Sequence, residues 1–388
     1  MGIHDGSKLG FFFGAGASIE FGIPSLKAMT KGFYEHINSK VNDPLQTDLF
    51  NKIYHSMEKI HEKDNVDIES IISVIVGLKD KLRIKENLGD LSLYIINRNN
   101  SDIYGAFKDV DIEILNELEN RYKDFIRDKV VLKTDGIDRL IKVYDDFFQQ
   151  ICNIVNCTNH HDTLTNVPGE NTFGKWVFFT TNYDNGIEEY LVHHKEYLDL
   201  DLGFKHSRTK YRIMDADTFV NTNLSNVQNA MQLVKLHGSA NWIRNKLGQI
   251  EEHEYNQNMN NVRSRSATGE VESDLMVYPL SQKELYFTPY IQFFRILESE
   301  LSKREIWIII GYSFRDIIIR NMYEKALRTG SKIILVHPRS SEIKNLFSEN
   351  VKQQIDDFPI YFAKNDYANV NQEIARRAEM LINQLLLT

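Results

Sequence analysis

The chain has 388 residues, 42% hydrophobic and 26% charged, which is ordinary for a soluble globular protein with a sizeable core. Its net charge of −8 at pH 7 excludes a general affinity for nucleic acid, so any such contact is expected only indirectly, through a partner. No apolar run approaches the roughly 20 residues needed to cross a bilayer, and Met1 to Gly10 has no basic segment followed by an apolar core, so neither membrane insertion nor secretion is expected.

The first strong signal is Lys8 to Gly14, a short apolar run ending in glycine, which reads as a buried parallel strand entering a tight turn. From Pro24 to about residue 160 the pattern is helical. Asp67–Val76, Asp111–Glu119 and Asp138–Phe148 each place apolar residues at helical spacing behind an acidic start, and their charges read as solvated faces. The two cysteines, Cys152 and Cys157, are too few for a four-cysteine zinc site and match no redox spacing. A reducing, cytoplasmic setting and no metal are expected.

Short apolar strands then return at Lys175–Thr181, Met231–Leu236, Asp274–Tyr278, Glu305–Ile310 and Ser331–Val336, with helical patterns at Tyr290–Ser302 and Asp316–Thr329. Such alternation predicts an α/β fold, a doubly wound, mostly parallel Rossmann-like sheet. The expected division is a core of residues 1–25 and 160–388 with a helical insertion over 26–159. The polar stretch Asn245–Ser273 has no clear period and is expected to be a mobile surface loop within the core.

Ligands of an open parallel sheet bind at the carboxyl ends of its strands, and here the glycine-rich and polar residues follow the strands directly. After the first comes Gly14-Ala15-Gly16-Ala17-Ser18, running on to Gly22-Ile23-Pro24. Glycines let the backbone approach a phosphate, although such a turn is as often a tight strand–helix connection. After the second comes Thr180-Thr181-Asn182-Tyr183-Asp184, whose amide and carboxylate can reach one ligand, or whose aspartate can cap the following helix. Leu236-His237-Gly238-Ser239 places a histidine at a strand end, where an imidazole can act as an acid–base group. Ile310-Gly311-Tyr312-Ser313 and Val336-His337-Pro338-Arg339 follow the next two strands.

In their shared order these motifs resemble the sirtuin family, and more closely the sirtuin-like NAD hydrolases of bacterial anti-phage defence. The resemblance spans roughly residues 9–340 at motif level, leaving the helical insertion outside it. It implies that NAD is bound as the substrate, with Gly14, Ala15, Gly16, Ala17 and Ser18 along the phosphates and Asn182 and Asp184 at the nicotinamide ribose. His237 would be the catalytic base, and Gly311 and Ser313 would hold the adenosine side. Pro24 and Thr181 join the cofactor-binding set.

Two departures bear on the reaction. Deacylating sirtuins continue after Gly-Ile-Pro with Asp-Phe-Arg, where this chain has Ser25-Leu26-Lys27. They also carry a four-cysteine zinc module after His-Gly, where this chain has the cysteine-free stretch Asn245–Ser273. The expected activity is therefore an NAD glycohydrolase that releases nicotinamide and ADP-ribose, using Asn182, His237 and Asp184. An NAD-dependent deacylase, an ADP-ribosyl transferase and a non-catalytic NAD-binding assembly module are the alternatives. The resemblance also implies an NAD-depleting role in anti-phage defence and a HerA-type hexameric ATPase as partner. The large helical segment suggests a homo-oligomer.

Overall fold

The computed structural model describes residues 8–40, 43–60, 66–88, 111–154, 176–194, 199–206, 211–215, 219, 230–245, 247–253, 271–276 and 289–386. In chain order it begins with β1 (Leu9–Phe13). Four helices follow, α1 (Leu26–Lys40), α2 (Pro44–Ile60), α3 (Ile68–Leu88) and α4 (Ile112–Lys129), and then α5 (Thr134–Ile154). Next come β2 (Val177–Thr180), α6 (Gly186–His193), β3 (Asp199–Asp201), β4 (Phe204–His206), β5 (Arg212–Met214), β6 (Ala230–Lys235), β7 (Gly238–Asn245), β8 (Ile250–Glu252) and β9 (Val271–Met276). The C-terminal part holds α7 (Tyr290–Lys303), β10 (Ile306–Ile310), α8 (Ile317–Arg328), β11 (Lys332–Val336), α9 (Ser340–Lys344), β12 (Ile355–Phe358) and α10 (Tyr367–Leu386).

The chain divides into two compact units, one formed by residues 1–23, 130–276 and 283–388 and the other by 24–129 with 277–282. The first is built on a seven-stranded sheet of order β12-β11-β10-β1-β2-β6-β3, in which every described pairing is parallel. This is the α/β architecture expected from the alternating pattern. Strands buried on both faces lose the two-residue alternation and read as continuous apolar runs; Leu9–Phe13 and Ile306–Ile310 are buried throughout.

A second sheet in the same unit is antiparallel, of order β4-β5-β8-β7-β9. It corrects the expectation of a mobile loop at both ends of 245–273. Asn245 opens a tight turn, its Oδ1 accepting from the amides of Leu247 (3.0 Å) and Gln249 (3.0 Å), and β8 returns to pair with β7. Composition misleads there because the polar residues satisfy one another when buried: Asn245 Nδ2 donates to Glu251 Oε1 at 2.8 Å, and Glu251 Oε2 lies 3.2 Å from His253 Nε2. The middle of the stretch, 254–270, lies outside the described residues, as does Cys157.

The boundary of the helical part also differs from the expected residue 159. α5 belongs to the sheet unit. Its Phe147 meets Phe11 of β1 edge-on at 6.3 Å, and Asn371 of α10 donates to the Val143 carbonyl at 3.1 Å. The reason is amphipathic strength: Leu140, Val143, Tyr144, Phe147, Phe148 and Ile151 form one broad buried stripe that fits a sheet face.

The second unit holds α1 to α4 around Phe33, Phe50 and Tyr122, with Phe33 edge-on to both of the others. Thr30 Oγ1 accepts from the Ile68 amide at 2.9 Å. Burial alone would raise the Glu119 carboxyl, but the ammonium groups of Lys123 and Lys79 outweigh it and hold the carboxyl below its ordinary value. Among the described residues no helix is long and apolar enough to cross a membrane.

Candidate functional site

Register places the site. Phe13 of β1 is level with Ile310 of β10 and with Thr180 of β2, and Thr180 is level with Lys235 of β6. The carboxyl ends of four adjacent strands therefore form one row, and the motif residues all follow within a few positions of it.

The turn after β1 is a short 3-10 segment, Ala15–Ala17. Four of its amides are engaged by the chain's own carbonyls: Gly14 N–H to Ile310 O, Gly16 N–H to Gly311 O, Ala17 N–H to Gly14 O and Ser18 N–H to Ala15 O, at 2.8 to 3.2 Å. Gly14 and Gly16 are required because this turn lies against the turn after β10. A side-chain carbon on Gly16 would sit 2.7 Å from the Gly311 Cα, and one on Gly311 would sit 2.2 Å from the Ala17 nitrogen. Gly311 also has φ +69°, a left-handed conformation that favours glycine. The glycines thus serve first to bring two loops together, leaving the exposed Ala15 as the part of Gly14–Ser18 that faces solvent.

The turn after β2 is tied to the first. Thr180 Oγ1 donates to the Phe13 carbonyl at 2.8 Å and accepts from the Asn182 amide at 2.9 Å. Asn182 Nδ2 donates to the Gly14 carbonyl at 3.1 Å and to Ser18 Oγ at 3.2 Å. A carbonyl only accepts, so the amide's NH₂ must face Gly14 and the orientation of the side chain is determined. Its Oδ1 is buried and has no partner among the described residues. A buried acceptor without a hydrogen bond costs about 1–3 kcal/mol, so this oxygen calls for a water or a ligand.

Asp184 takes a different place. Its Oδ1 accepts from the Gly186 amide at 2.9 Å, capping the start of α6, and its backbone carbonyl accepts from Lys235 Nζ at 2.5 Å. Lys235 is fully buried and also pairs with Glu188 at 2.6 Å. Burial raises the Glu188 carboxyl above its ordinary value even though Lys235 opposes the shift. Of the two uses the motif allowed, helix capping is the one this geometry displays. Burial, and then the Asp184 carboxylate, push the nearby Tyr144 phenol well above its usual range.

His237 sits at the end of β6, and its Nε2 lies 3.2 Å from Oδ2 of Asp316; both side chains are 3% exposed. Asp316 ends the loop after β10. Because β1 and β2 separate β10 from β6, the two loops span three strand spacings, roughly 14 Å, and meet over the ends of β1 and β2. Asp316 is the residue of this group that the sequence by itself does not single out. It lay in view at the end of Gly311–Asp316, but its contact is 79 positions distant, and only the strand order brings the two together.

Thr181 and Ser313 are half-buried within the same group of turns. Pro24 is the first residue of the second compact unit. His337 follows β11, and its Nδ1 accepts from the Arg339 amide at 3.0 Å. Burial and then the Arg339 charge lower its imidazole to about 4. Among the described residues no group of three histidine, cysteine or carboxylate side chains is placed to hold a metal ion.

Residues 177–355 match the family model of a SIR2-like domain. The matched span runs from β2 to β12 and contains Asn182, His237, Gly311 and Asp316, while the Gly14–Ser18 turn precedes it. Similar solved structures include a mutant Sir2 homologue in complex with ADP-ribose, at 13% identity, with 98% of this chain and 94% of that chain covered and a TM-score of 0.39. Another comes from work on the mechanism and regulation of Sir2 enzymes, at 11% identity, with 98% and 93% covered and a TM-score of 0.39. No curated protein sequence matches the chain.

Proposed function

We propose that this chain binds NAD over the carboxyl ends of β1, β2 and β6 and hydrolyses it to nicotinamide and ADP-ribose. One observation carries the reading: the buried Oδ1 of Asn182, without a partner among the described residues, held in a determined orientation beside the first turn, on the same strand-end row as His237. The SIR2-like match over 177–355 supports NAD as the ligand.

In this reading Asn182 is an uncharged acceptor for a ribose hydroxyl or the attacking water, and its fixed geometry places that group for reaction. His237 takes a proton as water adds to the ribose carbon and the bond to nicotinamide breaks with its electron pair. Asp184 contributes by holding the start of α6 and, through it, the loop that carries Asn182. Toward the phosphates, the exposed Ala15 amide is the donor in Gly14–Ser18 that the four backbone bonds leave available. Gly311 and Ser313 would lie toward the adenosine side, next along the sheet from β1.

The test is nicotinamide release by the purified chain, with and without an acyl-lysine peptide. Release without the peptide is expected, and it is expected to fall by about 10²–10⁴ in His237→Ala. Release only with the peptide would instead establish a deacylase, and tight NAD binding without release would establish a binding module. The motif order further supports an NAD-depleting effector of anti-phage defence that works in the cytoplasm as a homo-oligomer with a HerA-type ATPase. A monomer with full activity in light scattering would remove the assembly part of that reading.

A further inference from the structure

The two oxygens of Asp316 are differently employed. Oδ1 accepts from the amides of Ile318 (2.8 Å) and Ile319 (3.2 Å) in the first turn of α8, whereas Oδ2 lies 3.2 Å from His237 Nε2. A capping aspartate needs only the first of these arrangements. A carboxylate only accepts, so the ring nitrogen facing it carries the proton, and in a neutral imidazole the lone pair is then on Nδ1.

The loop that delivers Asp316 is held by packing rather than left to reach across. Phe314 has φ +54°, a left-handed conformation costly for a residue with a side chain, and it is fully buried. Its ring packs on Tyr312 at 4.9 Å, Phe347 at 5.0 Å and Tyr323 at 5.3 Å. Such a backbone persists where its surroundings over-determine it. At the start of the loop, Gly311 donates to Val336 O and accepts from Gly16 N–H, both at 2.9 Å.

We propose, on the reading that His237 is the base of NAD cleavage, that Asp316 is a positioning residue that keeps His237 in its Nε2–H tautomer and makes Nδ1 the proton acceptor. As the water oxygen bonds to the ribose carbon, its proton passes to Nδ1. Nicotinamide leaves with the electron pair of the broken bond. The imidazolium so formed has its charge beside the Asp316 carboxylate, and the proton is then released to solvent.

Asp316→Asn separates this role from helix capping. The amide oxygen still accepts from Ile318 and Ile319, but the amide NH₂ now faces Nε2 and stabilises the opposite tautomer, with Nδ1 protonated. The expected result is a kcat lower by about 10²–10⁴, with KM for NAD and the melting temperature close to those of the parent. Nitrogen NMR of histidine-labelled protein, with the His237 signal assigned by its loss in His237→Gln, is expected to report Nε2–H in the parent and Nδ1–H in Asp316→Asn. If Asp316→Asn does not fold, Asp316→Ser keeps a capping oxygen and is expected to show the same kcat loss. A parent Nδ1–H signal, or parental kcat in Asp316→Asn, overturns the proposal. The tautomer signal needs no turnover and parental turnover in His237→Gln would overturn the proposal, whereas absence of nicotinamide release by the parent chain would overturn the hydrolase reading itself, so the two failures are distinct.

Discussion

The side-chain amide of Asn182 donates to the main-chain carbonyl of Gly14, 168 positions earlier, at 3.1 Å. With the bond to Ser18 Oγ, this bond ties the turns after β1 and β2 together, and it determines which atom of Asn182 remains available. Asn182→Ala is expected to lower nicotinamide release by about 10²-fold or more, because the group that positions the reacting partner is lost. Asn182→Asp is expected to be worse for stability, since a carboxylate oxygen would then oppose the Gly14 carbonyl. Initial rates together with thermal melts check both. Parental turnover in a folded Asn182→Ala would remove the residue from the site.

Gly311→Ala tests the contact between the turns after β1 and β10. The added carbon meets the Ala17 nitrogen at 2.2 Å, and the φ of +69° disfavours alanine independently. The backbone conformation alone costs about 1–3 kcal/mol. A fall in melting temperature of several degrees is therefore expected, with loss of activity because Asn182 is held by the displaced turn. An unchanged melt would mean that the two turns are not packed as described.

Lys235→Met removes the cation from a buried pair and leaves Glu188, already raised by burial, without its partner. Breaking one side of such a pair typically costs about 3–5 kcal/mol. Replacing both groups, as in Lys235→Met with Glu188→Leu, is expected to recover much of that loss. Urea unfolding of the three proteins measures it, and a single substitution costing under about 1 kcal/mol would contradict a buried ion pair here.

His337 makes stability depend on pH. The folded chain holds its imidazole at about 4, whereas an unfolded histidine titrates near 6.5, so between those values the unfolded state binds more protons. Stability is accordingly expected to fall as pH drops from 6.5 toward 4, and to be unaffected by this group above 6.5. Protonation would also take away the lone pair that accepts the Arg339 amide. His337→Asn keeps an acceptor without a titrating group. Melting temperature against pH is expected to show a shallower acid slope in that variant, and an identical slope would refute the assignment.

Much of this protein was available from local chemistry. Strands buried on both faces must be continuously apolar, so β1, β2, β6, β10 and β11 were recognisable, and so were the turns that follow them. Asn182, His237 and Gly311 stand in those turns for that reason. Other features depend on partners far away in the chain. The antiparallel sheet was legible only at β9, which overlaps the apolar run Asp274–Tyr278; the rest was hidden because Asn245, Glu251 and His253 are polar residues buried by bonding one another, and polarity by itself reads as a loop. α5 joined the sheet unit because of the surface that its apolar stripe meets. The glycines of Gly14–Ser18 looked like a phosphate cradle, yet four amides of that turn serve the chain itself and the glycines admit a neighbouring loop. Asp316 reads locally as a helix cap. Only the strand order β10-β1-β2-β6 brings its second oxygen to His237, because hydrogen-bonding partners are chosen by distance in space, which sequence separation does not encode.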